Sequence, residues 1–225
     1  MNIALIPARS GSKSIKNKNI KLFLKKPLIY WSLLALENSR TIDQIFIAID
    51  DNKYEKIIRK FNFKKVKIFN RSKKTSKDSS QTEEVLLEFI NKKNLKTNDY
   101  IFLVQPTNPY VQSHEFDKAY KLLRKSKKNS LLSTVHSKVF FWNKNGVPLN
   151  YDLRKRPRRQ NNEGIFIENG AFYINTVKNI LKTKNRLTKP ICIFKMQNQT
   201  LLELDEPNDW ILGEFIKRNF FNDRK

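Results

Sequence analysis

Arg9, Lys13 and Lys18, with Ser10, Gly11 and Ser12 among them, have the types and spacing to hold phosphate. The three small residues let main-chain N–H groups close on an anion. The three cations supply charge around it. The segment Pro7-Ala8-Arg9-Ser10-Gly11-Ser12-Lys13-Ser14 contains neither G-x-x-x-x-G-K-[ST] nor G-x-G-x-x-G. The usual P-loop and dinucleotide patterns are therefore excluded. A second set is dispersed: Arg9, Asp50-Asp51, Arg71 and Gln105 each stand just behind an apolar run. Glu203 and Asp205 lie ahead of Pro207 and a helical pattern, where the helix dipole favours acids in any case.

The elements that must position these residues follow from the periodicity. Strands are expected at Met1–Ile6, Gln44–Ile49, Val66–Phe69, Tyr100–Val104 and Ser130–Val135. Helical patterns follow Pro27, placed at a helix N1 position, and cover Asn52–Phe61, about Gln81 to Asn91, and Glu115–Arg124. Asp50-Asp51 are expected to cap the second helix. This rhythm predicts an α/β fold, a mainly parallel sheet with helices on both faces. Such sheets bind ligands at the carboxyl ends of their strands. Topology then gathers Arg9, Asp50-Asp51, Arg71 and Gln105 on one rim.

The rhythm changes near residue 137. Val139–Trp142, an Asn145-Gly146 turn and Val147–Leu149 read as a β-hairpin. A basic stretch, Tyr151–Glu163, follows. Further apolar runs occur at Gly170–Ile174 and Ile191–Met196, with a helical stretch between them and a last helix to about Phe220. The chain is expected to be one domain over residues 1–225, with about 137–165 as an insertion.

Composition sets the outer limits. Hydrophobic residues make up 39% of the chain and aromatics 12%, enough for a real core. No apolar run approaches the roughly 20 residues of a membrane span, and the opening reads as a strand rather than a leader. A cytoplasmic location is expected. A single cysteine, Cys192, excludes an internal disulfide framework and a Cys-rich zinc site. It lies in an apolar strand and reads as inert core. His114 and His136 lack metal-ligand spacing. The formal net charge is +24, from 45 Lys+Arg against 21 Asp+Glu. The lysines are scattered through every segment rather than blocked. That pattern favours solvated surface over nucleic-acid binding and leaves room for a positive field around an anionic substrate.

Five motifs in order spell a known pattern. Leu5-Ile6-Pro7-Ala8-Arg9 with Gly11-Ser12-Lys13 and Lys18-Asn19 is the first; Arg71 with Asp78 seven residues on is the second. Gln105-Pro106-Thr107-x-Pro109, Arg158-Arg159-Gln160 and Glu168-Asn169-Gly170-Ala171-Phe172-Tyr173-Ile174 complete the set. Together they resemble the acylneuraminate cytidylyltransferases over nearly the whole chain. That resemblance implies a Rossmann-like nucleotidyltransferase that passes CMP from CTP to the anomeric hydroxyl of a nonulosonic acid, releasing pyrophosphate. It implies nucleotide contacts from Ala8, Arg9, Ser12, Lys13, Lys18, Asn19, Arg71 and Ser80, with Arg9, Lys18 and Asp205 catalytic. Phosphates fall to Arg9, Ser12, Lys13 and Lys18, and the cytosine end to Asn19, Arg71 and Ser80. The sugar falls to Gln105, Arg158, Arg159, Asn169 and Tyr173. Mg²⁺ falls to Asp205 and Glu203, where the family carries D-x-D. The insertion corresponds to the family's dimerisation element, so its arginines are expected to reach a neighbouring subunit in a homodimer.

Two features depart from that pattern. Ser10 and Ser14 stand where the family commonly has glycine, and serine is strained there if φ is positive. Glu203 adds a methylene to the first acid of D-x-D. Other readings are a manno-octulosonate cytidylyltransferase of the same fold, or a nucleotide- or RNA-binding protein without catalysis.

Overall fold

The computed structural model describes residues 1–11, 14–77 and 79–221. Seven strands form one sheet in the order β5-β4-β1-β6-β8-β7-β9. They are β1 (Asn2–Pro7), β4 (Gln44–Ile49), β5 (Val66–Asn70), β6 (Tyr100–Val104), β7 (Ser130–Ser137), β8 (Ile165–Thr176) and β9 (Ile191–Met196). A two-stranded ribbon, β2 (Leu22–Phe23) with β3 (Lys26–Pro27), stands apart. The helices are α1 (Leu28–Glu37), α2 (Asn52–Arg59), α3 (Thr82–Lys93), α4 (Ser113–Ser126), α5 (Val177–Thr183) and α6 (Pro207–Phe220).

The central strands β1, β4 and β6 are apolar on both faces, as a parallel sheet covered by helices demands. Ala4 and Ile6, Ile45 and Ile47, and Phe102 and Val104 point to the face covered by α1, α2 and α4. Ile3 and Leu5, Phe46 and Ala48, and Ile101 and Leu103 point to the face covered by α3 and α5. A one-residue slip of any of these strands would exchange the two sets. Four of the six neighbouring strand pairs are parallel, and the other two involve β8. That strand alone reverses the direction, pairing antiparallel with both β6 and β7. Because β4 and β6 flank β1 on opposite sides, the chain changes direction of travel across the sheet there. The crevice above β1 and β6 is the topological switch point where such folds take ligands. Among the described residues no helix is long and apolar enough to cross a membrane.

Three local expectations need correction. Pro27 is not the first helical residue. It pairs with Leu22 in the ribbon, and α1 begins one residue later with Pro27 extended at its N-cap. The Val139–Leu149 hairpin forms its turn but not its strands. Asn143 accepts from Asn145 and Val147 through its side chain, and Gly146 takes φ 76°. The hairpin's two sides meet at one bridge, Trp142–Pro148, closed by the Asn143 N–H to the Val147 carbonyl at 2.9 Å and the Leu149 N–H to the Phe141 carbonyl at 2.8 Å; the ladder goes no further because the Asn150 side chain takes the Phe141 N–H and the Val139 carbonyl. Of the two acids after β4, only Asp51 caps α2, accepting from the Lys53 N–H at 2.6 Å.

Candidate active site

The loop behind β1 is tied from three sides. The Ser10 N–H donates to Asp50 at 2.9 Å, so the acid that does not cap α2 holds this loop instead. Buried Asn19 donates through its side-chain amide to the Arg9 carbonyl at 3.2 Å. The Ser14 hydroxyl donates to the Asp205 carbonyl, across 191 residues of sequence. Ser10 does not have a positive φ, so serine in place of glycine is unstrained there. Among the described residues of this loop Asn17 is left-handed, φ 55°, a type that tolerates it. Ser12 and Lys13 lie outside the described residues, as does Asp78.

Above the sheet a cleft is lined by Pro7, Arg9, Lys18, Asn19, Thr82, Gln105, Pro106 and Thr107. The expected convergence of strand ends is therefore observed for Arg9 and Gln105. Arg71 belongs to the same neighbourhood, since its charge is felt together with those of Asp50 and Arg9. One of its terminal nitrogens donates to the Thr75 carbonyl, while its buried Nε has no partner. A buried, unpaired N–H of a cation is costly without a ligand to receive it. The loop carrying Arg71 is braced on α3 through Glu88, which accepts from Ser72 at 2.9 Å, from Lys92 at 2.6 Å and from Thr75. Burial alone would raise the Glu88 carboxyl; these donors outweigh it and bring it down to about 2.

The acids reach the same rim. Lys18 Nζ lies 2.6 Å from Asp205, so the phosphate-loop cation and the distant acid are in contact. Thr107 binds this acidic segment twice. Its carbonyl accepts from the Leu204 N–H at 3.0 Å, and its hydroxyl donates to Glu203 at 3.2 Å. Burial, then the charge of Asp205, pushes the Glu203 carboxyl above the usual carboxylate range. The Glu203 carboxylate rests on Gly170, which has φ 62°, and a Cβ there would collide with it. Among the described residues no three His, Cys, Asp or Glu side chains gather as a metal cluster.

Several expected ligands sit elsewhere or are already engaged. Asn169 is fully buried and both ends of its amide are used. Its oxygen accepts from Ser133 at 2.8 Å, and its nitrogen donates to Thr200 at 2.9 Å. It pins the place where β8 slips against β7, Leu132 facing Tyr173 and Thr134 facing Glu168. It therefore shapes the Gly170 turn and is not available to a sugar. Tyr173 is 3% exposed, and its hydroxyl donates to Glu168, so its ring is core. Ala8 is buried, with its N–H given to Ala48, so no side-chain or N–H contact to a nucleotide is open to it. Ser80 donates to the Lys74 carbonyl and does not line the cleft. Arg158 and Arg159 are exposed on the segment between β7 and β8 and do not line it either.

Sequence reasoning missed Thr82, Thr107, Glu168 and Asn108. Thr82 opens α3 and faces the cleft; its signal was a threonine ahead of two glutamates at a helix start. Thr107 was legible as a member of the Gln105-Pro106-Thr107-x-Pro109 motif but without a role, and Asn108 only as that motif's variable position. The buried Asn108 amide donates to the carbonyls of Asn169 and Thr200 at 2.9 and 2.7 Å, tying the Gln105 loop to the β8 turn.

A basic cleft at the switch point of a doubly wound sheet, with carboxylates at its edge, is the architecture of a nucleotide-handling enzyme. Solved structures of that class share the fold. A CMP:2-keto-3-deoxy-manno-octonic acid synthetase complexed with CTP superposes with TM-score 0.71 at 14% identity, over 96% of this chain and 98% of its own. A 4-diphosphocytidyl-2C-methyl-D-erythritol synthase from Anaerococcus prevotii gives 0.69 at 13% identity, over 97% and 96%. The family model described as cytidylyltransferase matches residues 3–212, and the chain belongs to that family. It is 32% identical to N-acylneuraminate cytidylyltransferase B of Danio rerio, over 94% of this chain and 50% of that protein. With the N-acylneuraminate cytidylyltransferase of Oncorhynchus mykiss the identity is 33%, over 94% and 49%. The chain thus spans about half the length of these curated relatives. A pseudaminic acid cytidylyltransferase of Campylobacter jejuni is 27% identical, with 92% of each chain covered.

Proposed function

We propose that this protein transfers CMP from CTP to the anomeric hydroxyl of a nonulosonic acid, with release of pyrophosphate. The observation that carries this reading is the contact between Lys18 and Asp205 beside Arg9. It joins a phosphate-binding loop to an acid that stands 187 residues away in sequence. A triphosphate brings about four negative charges, and transfer of its α-phosphorus is governed by positioning and charge neutralisation. Arg9 and Lys18 neutralise the phosphates, and Ser12 and Lys13 are assigned the same role. Asn19, Arg71 and Thr82 border the nucleotide, with the Arg71 Nε as a waiting donor. Gln105, half-buried at the end of β6, offers a donor and an acceptor to the sugar.

Mg²⁺ fits the residues at the rim. Two carboxylates, Glu203 and Asp205, crowd each other there, and the strain on Glu203 is the kind a divalent cation relieves. Mg²⁺ takes one or two protein carboxylates and fills its remaining positions with phosphate oxygens and water. When bound it supplies charge neutralisation at the reacting phosphate. Glu203 and Asp205 would hold it, with Thr107 and Gly170 orienting Glu203.

We assign the exposed segment between β7 and β8 to homodimer formation. Trp142, Val147, Leu149 and Leu153 all leave about half or more of their surface in water, and such a group on one segment marks a protein interface. Arg158 and Arg159 would then reach the partner's sugar site and grip a carboxylate bidentately.

The test is pyrophosphate release from CTP and Mg²⁺ with N-acetylneuraminic, legionaminic, pseudaminic and manno-octulosonic acids. Release with one of the first three supports the reading. Release with manno-octulosonic acid alone moves the enzyme to that substrate, and no release with any acid refutes it.

A further inference from the structure

A row of four side chains runs beneath the site and includes one that no step above uses. Arg186 lies in the loop between α5 and β9, outside every motif. Its guanidinium grips Glu83 through two hydrogen bonds, Nε at 2.6 Å and a terminal nitrogen at 2.9 Å. Both side chains are about four-fifths buried. The guanidinium also covers the Tyr173 ring, 5.0 Å from its centroid. The Tyr173 hydroxyl donates to Glu168. Glu83 follows Thr82 in the first turn of α3, so the row begins beside the cleft. It ends at Glu168, exposed on β8 two residues before the Gly170 turn that seats Glu203, whose carboxylate feels the Glu168 charge.

The chemistry of the row is directional. A carboxylate accepts hydrogen bonds and offers none. Of the two Glu168 oxygens one is taken by Tyr173, which fixes the plane of the group. The Tyr173 ring cannot turn away, because the core holds one face and Arg186 the other. Arg186 cannot leave, because Glu83 holds it bidentately, a pairing with planar geometry that lysine does not reproduce. A merely structural ion pair would need neither the ring beneath it nor a carboxylate held out at the rim.

We propose that Arg186 is a positioning residue. Braced by Glu83, it locks Tyr173 so that Glu168 presents its free oxygen to hydroxyl or N–H donors of the sugar acid. The inference rests on the cytidylyltransferase reading and deepens its sugar half. It also sets the substrate's orientation: its own carboxylate is repelled by Glu168 and must turn toward the arginines.

The test is steady-state kinetics of pyrophosphate release for Arg186→Met, Arg186→Lys, Tyr173→Phe and Glu168→Ala, with melting temperatures recorded alongside. Arg186→Met and Tyr173→Phe should each raise KM for the sugar acid about tenfold while KM for CTP stays within about twofold. Arg186→Lys should recover only part of the loss. Neither Arg186→Met nor Tyr173→Phe should add to the defect of Glu168→Ala, since all three act through one oxygen. The inference is overturned if Arg186→Met lowers the melting temperature and leaves the sugar KM unchanged, if both KM values rise together, or if the defects multiply. Should Arg186→Met fail to fold, Tyr173→Phe alone decides, because it keeps the packed ring and removes only the hydroxyl. A wild-type protein inactive with every acid overturns the functional reading and this inference together.

Discussion

Lys18 lines the cleft with Arg9 and touches Asp205, so one ammonium group belongs to both halves of the site. Arg9 has the plainest expected effect. Arg9→Ala should lose roughly 2–4 kcal/mol of transition-state stabilisation, in line with removal of one charge-stabilising donor. That is a fall of about 30- to 1,000-fold in kcat/KM. A rate within threefold of wild type would remove Arg9 from the chemistry. Gly170 tests the acid side. Its φ is positive and its Cβ position is filled by the Glu203 carboxylate, so Gly170→Ala must displace that acid. The Mg²⁺ concentration for half-maximal rate should rise at least several-fold, while fluorescence-detected CTP binding without metal stays near wild type. An unchanged metal requirement would show that Glu203 is not a ligand.

Among the elements, α4 carries a titrating group at its cap. The Gln112 N–H donates to Glu115 at 2.9 Å, and the two residues form a capping box. Burial raises the Glu115 carboxyl to about 7; the Gln112 N–H, Lys118 and Lys217 only partly oppose it. A carboxyl raised in the folded state holds its proton there after the unfolded chain has lost it. Stability from this group is therefore present below about pH 4.5 and is lost as pH rises to about 7, by up to about 3 kcal/mol. Glu115→Gln keeps an acceptor for the Gln112 N–H and removes the titration. Urea unfolding of the variant between pH 5 and 8 should show a flatter dependence than wild type; parallel curves would refute the assignment.

At the scale of the whole molecule, the sheet gathers the site and the segment between β7 and β8 stays outside it. The +24 charge is carried largely on solvated lysines, several lying over aromatic rings, as Lys93 does over Phe46 at 5.2 Å. On the proposed assembly, sedimentation should give the mass of two chains. Leu149→Asp with Leu153→Asp should give that of one, and pyrophosphate release should fall with it. A monomeric wild type with full activity would end the assignment of Arg158 and Arg159 to a partner's site.

Much of this molecule was legible from periodicity. β4 and β6 begin and end where alternating β-branched and aromatic residues predict, because strands buried on both faces leave little choice of register. The rim was legible for the same reason, since a parallel sheet places all its strand ends on one side. Side-chain direction was not. Asn169 and Tyr173 sit in a motif that reads as substrate-binding, yet the Asn169 amide is spent on Ser133 and Thr200, and the Tyr173 ring faces the core from its pairing with Leu103. The truncated hairpin and the ribbon at Pro27 likewise depend on partners the local pattern does not show: the Asn150 side chain takes the Phe141 N–H, and Leu22 pairs with Pro27. Local pattern determines which segments pair and which face is apolar. Where a polar group ends depends on its nearest partner in space, and partners such as Glu83 and Arg186, 103 residues apart, meet only in the folded chain.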